Sequence, residues 1–208
     1  MGWIVSKKHK FIFIHIPKTG GSSIAEPEYR SGQGALITHL GSEDYVQAGH
    51  IRAVGLKDRL QDNWNDYFKF AFVRNPWDRI VSLYHYFLQD PEKQRTALGK
   101  EIAKLGSFRE FCRQLDNIDL DPHFDPQISY LIDYEGRFLV DFIGRFESLE
   151  KDLNLICKKT DLPTVKLPHF RKSNHDSYHN CYDKESVGII ATKYRSDIEA
   201  FKYTFNSQ

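Results

Sequence analysis

Groups suited to holding an anion are concentrated in residues 17–23, which read Pro-Lys-Thr-Gly-Gly-Ser-Ser. Glycines let a ligand approach the backbone N–H groups closely, and ammonium and hydroxyl groups lie beside them in the chain. If a helix begins near Ser22, its positive end adds to the attraction for an anion. The pattern predicts a phosphate-binding loop made of Lys18, Thr19, Gly20, Gly21, Ser22 and Ser23. The alternative is a Gly-Gly turn that only links a strand to a helix.

The order of residues in this loop differs from that of the Walker A motif of common ATPases and GTPases. In that motif the lysine follows the last glycine, whereas Lys18 precedes both glycines here. Walker-type enzymes also hold Mg²⁺ with an aspartate at the end of a neighbouring strand, and the second predicted strand here ends in Arg74. We therefore expect an anion site without a metal. A metal-dependent nucleotide kinase or phosphohydrolase is the alternative function, and a nucleotide-binding protein without turnover is the third class left open.

A second anion site is predicted from residues 73–82, which read Val-Arg-Asn-Pro-Trp-Asp-Arg-Ile-Val-Ser. Arg74 follows the carboxyl end of a predicted strand, where α/β proteins bind their ligands. Ser82 lies within the first two turns of the predicted helix and off its apolar stripe. A guanidinium and a hydroxyl can hold a second phosphate through charge-assisted hydrogen bonds. The alternative is that Arg74 pairs with a carboxylate and Ser82 is incidental.

The elements that must position these residues alternate between strands and helices. Short runs of β-branched and aromatic residues, apolar on both faces, are typical of buried parallel strands and are found at residues 11–16, 69–73 and 138–143. A helix is predicted to begin at Pro76, because apolar residues after it repeat with helical spacing. These apolar residues are Ile80, Leu83, Tyr84 and Phe87. Further helices are predicted at residues 56–64, 108–115, 149–158 and 186–201, the second of them behind a capping box formed by Ser107 and Glu110.

Length, charge and composition limit the classes to which the chain can belong. Its 208 residues contain no repeat or linker, so we expect one domain over residues 1–208, an α/β fold in which helices flank a P-loop-like central parallel sheet. A net charge of +1 gives no general attraction for nucleic acid or anionic lipid. The longest apolar run, residues 11–17, is too short to span a membrane. Three cysteines without a Cys-x-x-Cys pair argue against disulfides and zinc, so we expect a cytoplasmic protein.

The two anion-binding segments, and their order in the chain, resemble the sulfotransferases that use 3′-phosphoadenosine 5′-phosphosulfate (PAPS). Residues 15–23, His-Ile-Pro-Lys-Thr-Gly-Gly-Ser-Ser, are similar to the 5′-phosphosulfate loop of that family. Residues 72–84, Phe-Val-Arg-Asn-Pro-Trp-Asp-Arg-Ile-Val-Ser-Leu-Tyr, are similar to its 3′-phosphate segment. Weaker matches at residues 49–51, 142–147, 169–173 and 197–205 resemble the carbohydrate branch, which includes the uronyl 2-O-sulfotransferases. The resemblance implies an enzyme that transfers a sulfuryl group from PAPS to a hydroxyl acceptor.

The resemblance also implies roles for individual residues in holding the cofactor. Residues 18–23 would hold the 5′-phosphosulfate of PAPS, while Arg74 and Ser82 would hold its 3′-phosphate. Arg171 and Ser173 would close over the cofactor or the acceptor. The expected product is adenosine 3′,5′-bisphosphate (PAP), and no metal is expected in the site.

His50 is the general base that the resemblance implies, with His39 as the rival in the same stretch of chain. A neutral imidazole is suited to taking the proton of the acceptor during an in-line displacement. Lys18 is expected to stabilise the negative charge that develops on the departing phosphate oxygen. His15 shares a strand face with two phenylalanines and is predicted to belong to the core.

Several kinds of compound with a hydroxyl group are candidates for the acceptor. The resemblance implies a sugar hydroxyl, and lipid or small-metabolite alcohols are the alternatives. Gln127 and His123 are candidates to face the acceptor, as is the basic pair Arg171 and Lys172. The near-zero net charge does not require a polyanionic glycan.

Overall fold

The computed structural model describes residues 4–25, 45–47, 51–118, 121–164 and 177–207. The strands are β1 (Ile4–Ser6), β2 (Phe11–Ile14), β3 (Tyr45–Gln47), β4 (Phe68–Val73) and β5 (Phe142–Arg145). The helices are α1 (Gly21–Ala25), α2 (Ala53–Leu60), α3 (Pro76–Gln89), α4 (Pro91–Arg95), α5 (Ala97–Lys104), α6 (Phe108–Gln114), α7 (Leu149–Lys159), α8 (Lys184–Lys193) and α9 (Arg195–Phe201).

The chain divides into two compact units. We name them the sheet unit, Met1–Arg74 with Gln127–Phe170, and the helical unit, Asn75–Pro126 with Arg171–Gln208. The single domain expected over residues 1–208 stays a prediction.

The five described strands belong to the sheet unit and form one sheet in the order β3-β1-β2-β4-β5. Strands β2, β4 and β5 are parallel neighbours, while β1 pairs antiparallel with both β2 and β3. All residues of β2 and all but the first of β4 are buried, as expected for strands covered on both faces. The predicted α/β fold with a central parallel sheet is confirmed, and β1 and β3 add an antiparallel edge to it.

Aromatic rings from the two central strands form the core of the sheet unit. Phe13 and Phe70 are fully buried and stack with their ring centroids 5.2 Å apart, and Phe72 meets Phe70 edge-on at 6.3 Å. Ile24 of α1 and Leu153 of α7 belong to the same cluster. Because burial of one phenylalanine contributes roughly 1.5–3 kcal/mol, this cluster holds α1 and α7 firmly against the sheet.

The third parallel strand begins later than the sequence predicts. It is expected over residues 138–143 and observed at Phe142–Arg145. The Asp141 carboxylate accepts a hydrogen bond from the Lys69 N–H at 2.7 Å and forms an ion pair with the Lys69 ammonium at 3.0 Å. Before this anchor the chain turns back on itself, with the Leu139 N–H donating to the Leu131 carbonyl at 2.8 Å. The pairing of Asp141 therefore sets the point at which the strand can begin.

Helix α3 begins at Pro76, as the sequence predicts. The Asn75 side chain caps it by accepting a hydrogen bond from the Trp77 N–H at 3.1 Å. The four apolar residues of the predicted stripe are at most 8% exposed. Arg79 is fully buried as well, and its guanidinium donates to the His123 carbonyl at 2.6 Å. Helix α3 is therefore buried over a wider arc than its apolar stripe alone predicts.

Helices whose ends are determined by local sequence signals lie close to their predicted positions. Helix α6 begins behind its Ser107 cap, and α7 follows the predicted bounds. The helix expected over residues 186–201 is divided into α8 and α9 at Tyr194. This tyrosine is fully buried and its hydroxyl donates to the Phe124 carbonyl at 2.9 Å, so tertiary packing interrupts the helix. Among the described residues, no helix combines the length and the apolar character needed to cross a membrane.

Candidate functional site

The carboxyl ends of β2, β4 and β5 lie at one edge of the sheet unit, because the three strands are parallel neighbours. Ligands of α/β proteins bind at this edge of the sheet. The predicted phosphate loop follows β2, Arg74 follows β4, and Phe146 follows β5. The topology therefore brings the predicted phosphate loop, Arg74 and Phe146 to one edge of the sheet.

The loop after β2 has a left-handed backbone at two positions. Lys18 has a φ of 67° and Gly20 a φ of 90°, whereas the residues that follow each of them have negative φ. Alternation of left-handed and right-handed residues turns successive N–H groups toward one side, which is how backbone nests bind anions. Positive φ is uncommon for lysine because its Cβ crowds the backbone, and such strain is typical of functional loops. The conformation of the loop thus supports the predicted anion site.

Helix α1 begins directly within this loop. The N–H groups of Ser23 and Ile24 donate to the Gly20 carbonyl at 3.0 and 3.3 Å. Gly21 and Ser22 are the first two residues of α1. The N-terminal end of a helix carries a partial positive charge, which favours an anion such as a phosphate.

The hydroxyl of Thr19 stabilises the loop itself. Thr19 is fully buried, and its Oγ1 donates to the Ile16 carbonyl at 2.9 Å. Because a hydroxyl has one proton to donate, Thr19 can offer a bound anion its backbone N–H but not its O–H. The other hydroxyl groups of the predicted loop are those of Ser22 and Ser23, which lie within α1.

The two glycines of the loop occupy positions where a larger residue does not fit. A Cβ at Gly20 would lie 2.7 Å from Leu149 Cδ2. A Cβ at Gly21 would overlap the imidazole of His15, which is 7% exposed and stacks on Phe13 at 5.7 Å. His15 is therefore a core residue, as predicted, and its ring lies directly against the loop.

Arg74 brings its guanidinium to the same loop. Its Nη1 donates to the Lys18 carbonyl at 3.2 Å, and its Cζ lies 4.1 Å from the centre of the Phe146 ring. Arg74 is 6% exposed. A stacked and largely desolvated guanidinium beside convergent N–H groups binds phosphate oxygens strongly. The two segments that the sequence predicts to bind phosphate therefore meet within the sheet unit, at Lys18 and Arg74.

Gln127 holds the backbone of Arg74, a role that the sequence does not indicate. Its Oε1 accepts from the Arg74 N–H and its Nε2 donates to the Arg74 carbonyl, both at 2.9 Å, and the residue is fully buried. The prediction that Gln127 faces the acceptor is wrong, because the side chain is fully buried and its carboxamide bonds to the backbone of Arg74. The two residues are 53 positions apart, so no local pattern could have signalled their pairing.

The remaining predicted site residues belong to the helical unit or lie outside the described residues. Ser82 belongs to the helical unit, where it lies in α3 and is 4% exposed. His50, His39, Arg171 and Ser173 lie outside the described residues. The roles of all five stay predictions.

His123, the second candidate to face the acceptor, belongs to the helical unit and pairs with Asp121. The Asp121 carboxylate accepts from the His123 backbone N–H at 2.7 Å and also contacts the imidazole Nδ1. Burial lowers the pKa of His123, and this effect outweighs the opposite effect of Asp121. The side chain of His123 is 19% exposed. A role of His123 toward the acceptor stays a prediction.

Comparison with known proteins gives a family match over nearly the whole chain. The model of the Sulfotransferase family matches residues 1–204. Human carbohydrate sulfotransferase 9 is 27% identical over 225 residues, covering 93% of this chain and 47% of that protein. Human carbohydrate sulfotransferase 14 is 26% identical over 236 residues, covering 96% of this chain and 59% of that protein. The chain thus spans about half the length of these curated relatives.

A solved structure shares the fold. Mouse sulfotransferase SULT7A1 complexed with PAP matches with a TM-score of 0.53 and 15% sequence identity, covering 92% of this chain and 88% of that one. At this level of identity the likeness establishes the fold alone. It confirms the predicted P-loop-like α/β class.

Proposed function

The chain belongs to the Sulfotransferase family, and we propose on this basis that it catalyses transfer of a sulfuryl group from PAPS to a hydroxyl acceptor. We propose a carbohydrate as that acceptor, because carbohydrate sulfotransferases are among the relatives. The narrower likeness to uronyl 2-O-sulfotransferases stays a prediction. One observation carries the proposal: the Arg74 guanidinium donates to the carbonyl of Lys18, so the residue that follows β4 contacts the loop that follows β2.

The donor set of the loop fits the phosphosulfate of PAPS. Lys18 supplies an ammonium, Ser22 and Ser23 supply hydroxyls, and the first N–H groups of α1 lie at the positive end of the helix. Phosphate and sulfate oxygens are acceptors only, so they suit a set made entirely of donors. Arg74 would hold the 3′-phosphate. By their match to the family motifs, Ser82 would bind the same phosphate, and Arg171 and Ser173 would close over the bound molecules.

The proposed reaction replaces one sulfur–oxygen bond with another. PAPS supplies the sulfuryl group, which leaves a phosphate oxygen as the acceptor oxygen bonds to sulfur. His50 takes the proton of the attacking hydroxyl. Lys18 stabilises the charge left on the phosphate oxygen of PAP, in the way that preorganised cations stabilise developing charge in other active sites.

A transfer assay tests the proposal. Purified protein is incubated with PAPS carrying labelled sulfate and a panel of monosaccharides, glycans and simple alcohols, with and without EDTA. We expect label to move to a carbohydrate and PAP to form in equal amount, with no effect of EDTA. Phosphoryl transfer or phosphate release that EDTA abolishes would instead identify a metal-dependent kinase or phosphohydrolase. Tight binding of PAP without transfer to any acceptor would indicate a binding protein.

A further inference from the structure

We propose that Gln127 is a positioning residue for Arg74 and thereby sets the preference of the protein for nucleotides that carry a 3′-phosphate. The inference rests on the proposed function, because it takes Arg74 as the residue that holds this phosphate. Gln127 affects binding through the side chain of Arg74.

Gln127 continues the strand ladder at the point where it would otherwise end. The last pair of residues between β4 and β5 is Val73 with Arg145, and Arg74 comes directly after it. Buried backbone N–H and C=O groups must be paired, and the Gln127 carboxamide pairs both of those of Arg74 at 2.9 Å. Since a backbone held at both its N–H and its C=O has little freedom to rotate, Gln127 fixes the direction in which the Arg74 side chain leaves the strand.

The other end of Arg74 is fixed as well. Its guanidinium donates to the Lys18 carbonyl at 3.2 Å and lies 4.1 Å from the centre of the Phe146 ring. A guanidinium fixed in advance loses little conformational entropy when it binds a phosphate. Without the contact to Gln127, the base of the side chain can shift, and the geometry of a guanidinium–phosphate pair is lost.

Only glutamine among residues of its size can make both hydrogen bonds. Glutamate at neutral pH accepts but cannot donate, and methionine offers neither a donor nor a strong acceptor. Gln127→Met therefore keeps the volume of the buried side chain and removes both contacts with the backbone of Arg74. Gln127→Glu keeps the volume and the bond from the Arg74 N–H, and it serves as the second variant if Gln127→Met does not fold.

Binding of PAP compared with AMP separates positioning from a merely structural role, because the two nucleotides differ only in the 3′-phosphate. Dissociation constants for both are measured for the wild type, Gln127→Met, Gln127→Glu and the control Gln89→Ala, which removes an exposed glutamine of α3. We expect Gln127→Met to lower the preference for PAP about tenfold, as loss of one charge-assisted hydrogen bond would, with AMP affinity nearly unchanged. Gln127→Glu should lower the preference in the same direction, and Gln89→Ala should behave as the wild type.

Two results distinguish the failure of this inference from failure of the proposed function. An unchanged preference for PAP in Gln127→Met, or an equal loss of affinity for both nucleotides, would overturn the positioning role. A wild-type protein that binds PAP no more tightly than AMP would overturn the assignment of Arg74 itself. In an Arg74→Met background, the further change Gln127→Met should leave the ratio of the two affinities unaltered.

Discussion

Lys18 and Arg74 are positively charged residues of a chain whose net charge is only +1. The Arg74 guanidinium donates to the Lys18 carbonyl at 3.2 Å, which places one positive charge at the predicted anion loop. A local concentration of one sign of charge attracts anions even when the protein as a whole is nearly neutral. We therefore expect the affinity for a nucleotide to depend on these residues rather than on the overall charge.

His50→Ala should abolish most of the turnover while leaving PAP binding intact. Loss of a general base typically lowers the rate by about 10²–10⁴-fold, because the acceptor hydroxyl must then lose its proton unaided. The matched variant is His39→Ala, which should keep kcat near that of the wild type. Sulfate transfer under saturating PAPS, together with PAP binding, measures both effects. If His39→Ala is the inactive protein instead, the roles of the two histidines are exchanged.

Gly21→Ala should destabilise the sheet unit and weaken PAP binding. The added methyl group would overlap the buried ring of His15, and overpacking of this kind costs about 1–3 kcal/mol. Gly188→Ala in α8 is the matched control, because a Cβ there meets no atom within 4 Å. Thermal unfolding and PAP titration provide the two measurements. Equal Tm and affinity in Gly21→Ala and the wild type would show that His15 does not constrain the loop.

Residue types at strand ends could be predicted from the sequence, whereas their long-range partners could not. Arg74 is recognisable because it directly follows an apolar strand, and Lys18 because it comes a few residues after another, which is local information. Gln127 pairs with Arg74 across 53 positions, and Phe146 reaches the guanidinium of Arg74 from another strand. Because contacts of this kind depend on the fold, the sequence predicts only that Gln127 faces the acceptor and indicates no role for Phe146.

For helices and strands, local sequence patterns predict some boundaries, and tertiary contacts determine the others. Helix α3 and strand β4 carry strong periodic patterns, and both appear where they are predicted. The late start of β5 depends on the pair Lys69 and Asp141, and the break between α8 and α9 depends on the buried Tyr194. Because neither contact is local, the start of β5 and the break between α8 and α9 could not be predicted from the sequence.

Helices α6 and α8 are joined by an ion-pair cluster whose contribution should depend on pH. Glu185 contacts Arg113 at 2.7 Å and Arg109 at 2.9 Å. Hydrogen bonds and charge from Arg113, and then from Arg109, lower the pKa of Glu185 to about 2. The folded-state pKa lies below the unfolded value of about 4.3, so the cluster stabilises the folded protein above that value and ceases to do so as pH falls through about 2.

Glu185→Gln should therefore lower Tm slightly at neutral pH, and the difference from the wild type should disappear toward pH ~2. The effect is small because exposed ion pairs are screened by solvent. Thermal unfolding across the acid range measures it, with Glu199→Gln as the control at an exposed position of α9. A constant difference between the Glu185→Gln protein and the wild type over the whole range would show that charge at this position is not the cause.

At the scale of the whole molecule, the family match over residues 1–204 includes both the sheet unit and the helical unit. The sheet unit carries the loop, Arg74 and Gln127. The cytoplasmic location expected from the cysteine pattern stays a prediction, as does the absence of a metal from the reaction. The EDTA arm of the transfer assay tests whether the reaction needs a metal.

PAP should raise the thermal stability of the protein. A ligand that binds only the folded state stabilises it by about 2.7 kcal/mol at a concentration of about one hundred times its Kd. AMP at the same concentration should raise Tm less, because it lacks the 3′-phosphate proposed to bind Arg74. A rise that is equal for PAP and AMP in differential scanning fluorimetry would speak against a 3′-phosphate site.

A crystal structure of the protein with PAP bound is the decisive measurement. We expect the 5′-phosphate against residues 18–23 and the 3′-phosphate within hydrogen-bond distance of the Arg74 guanidinium. A nucleotide bound elsewhere, or one whose phosphates contact neither the loop nor Arg74, would contradict the assignment of this site.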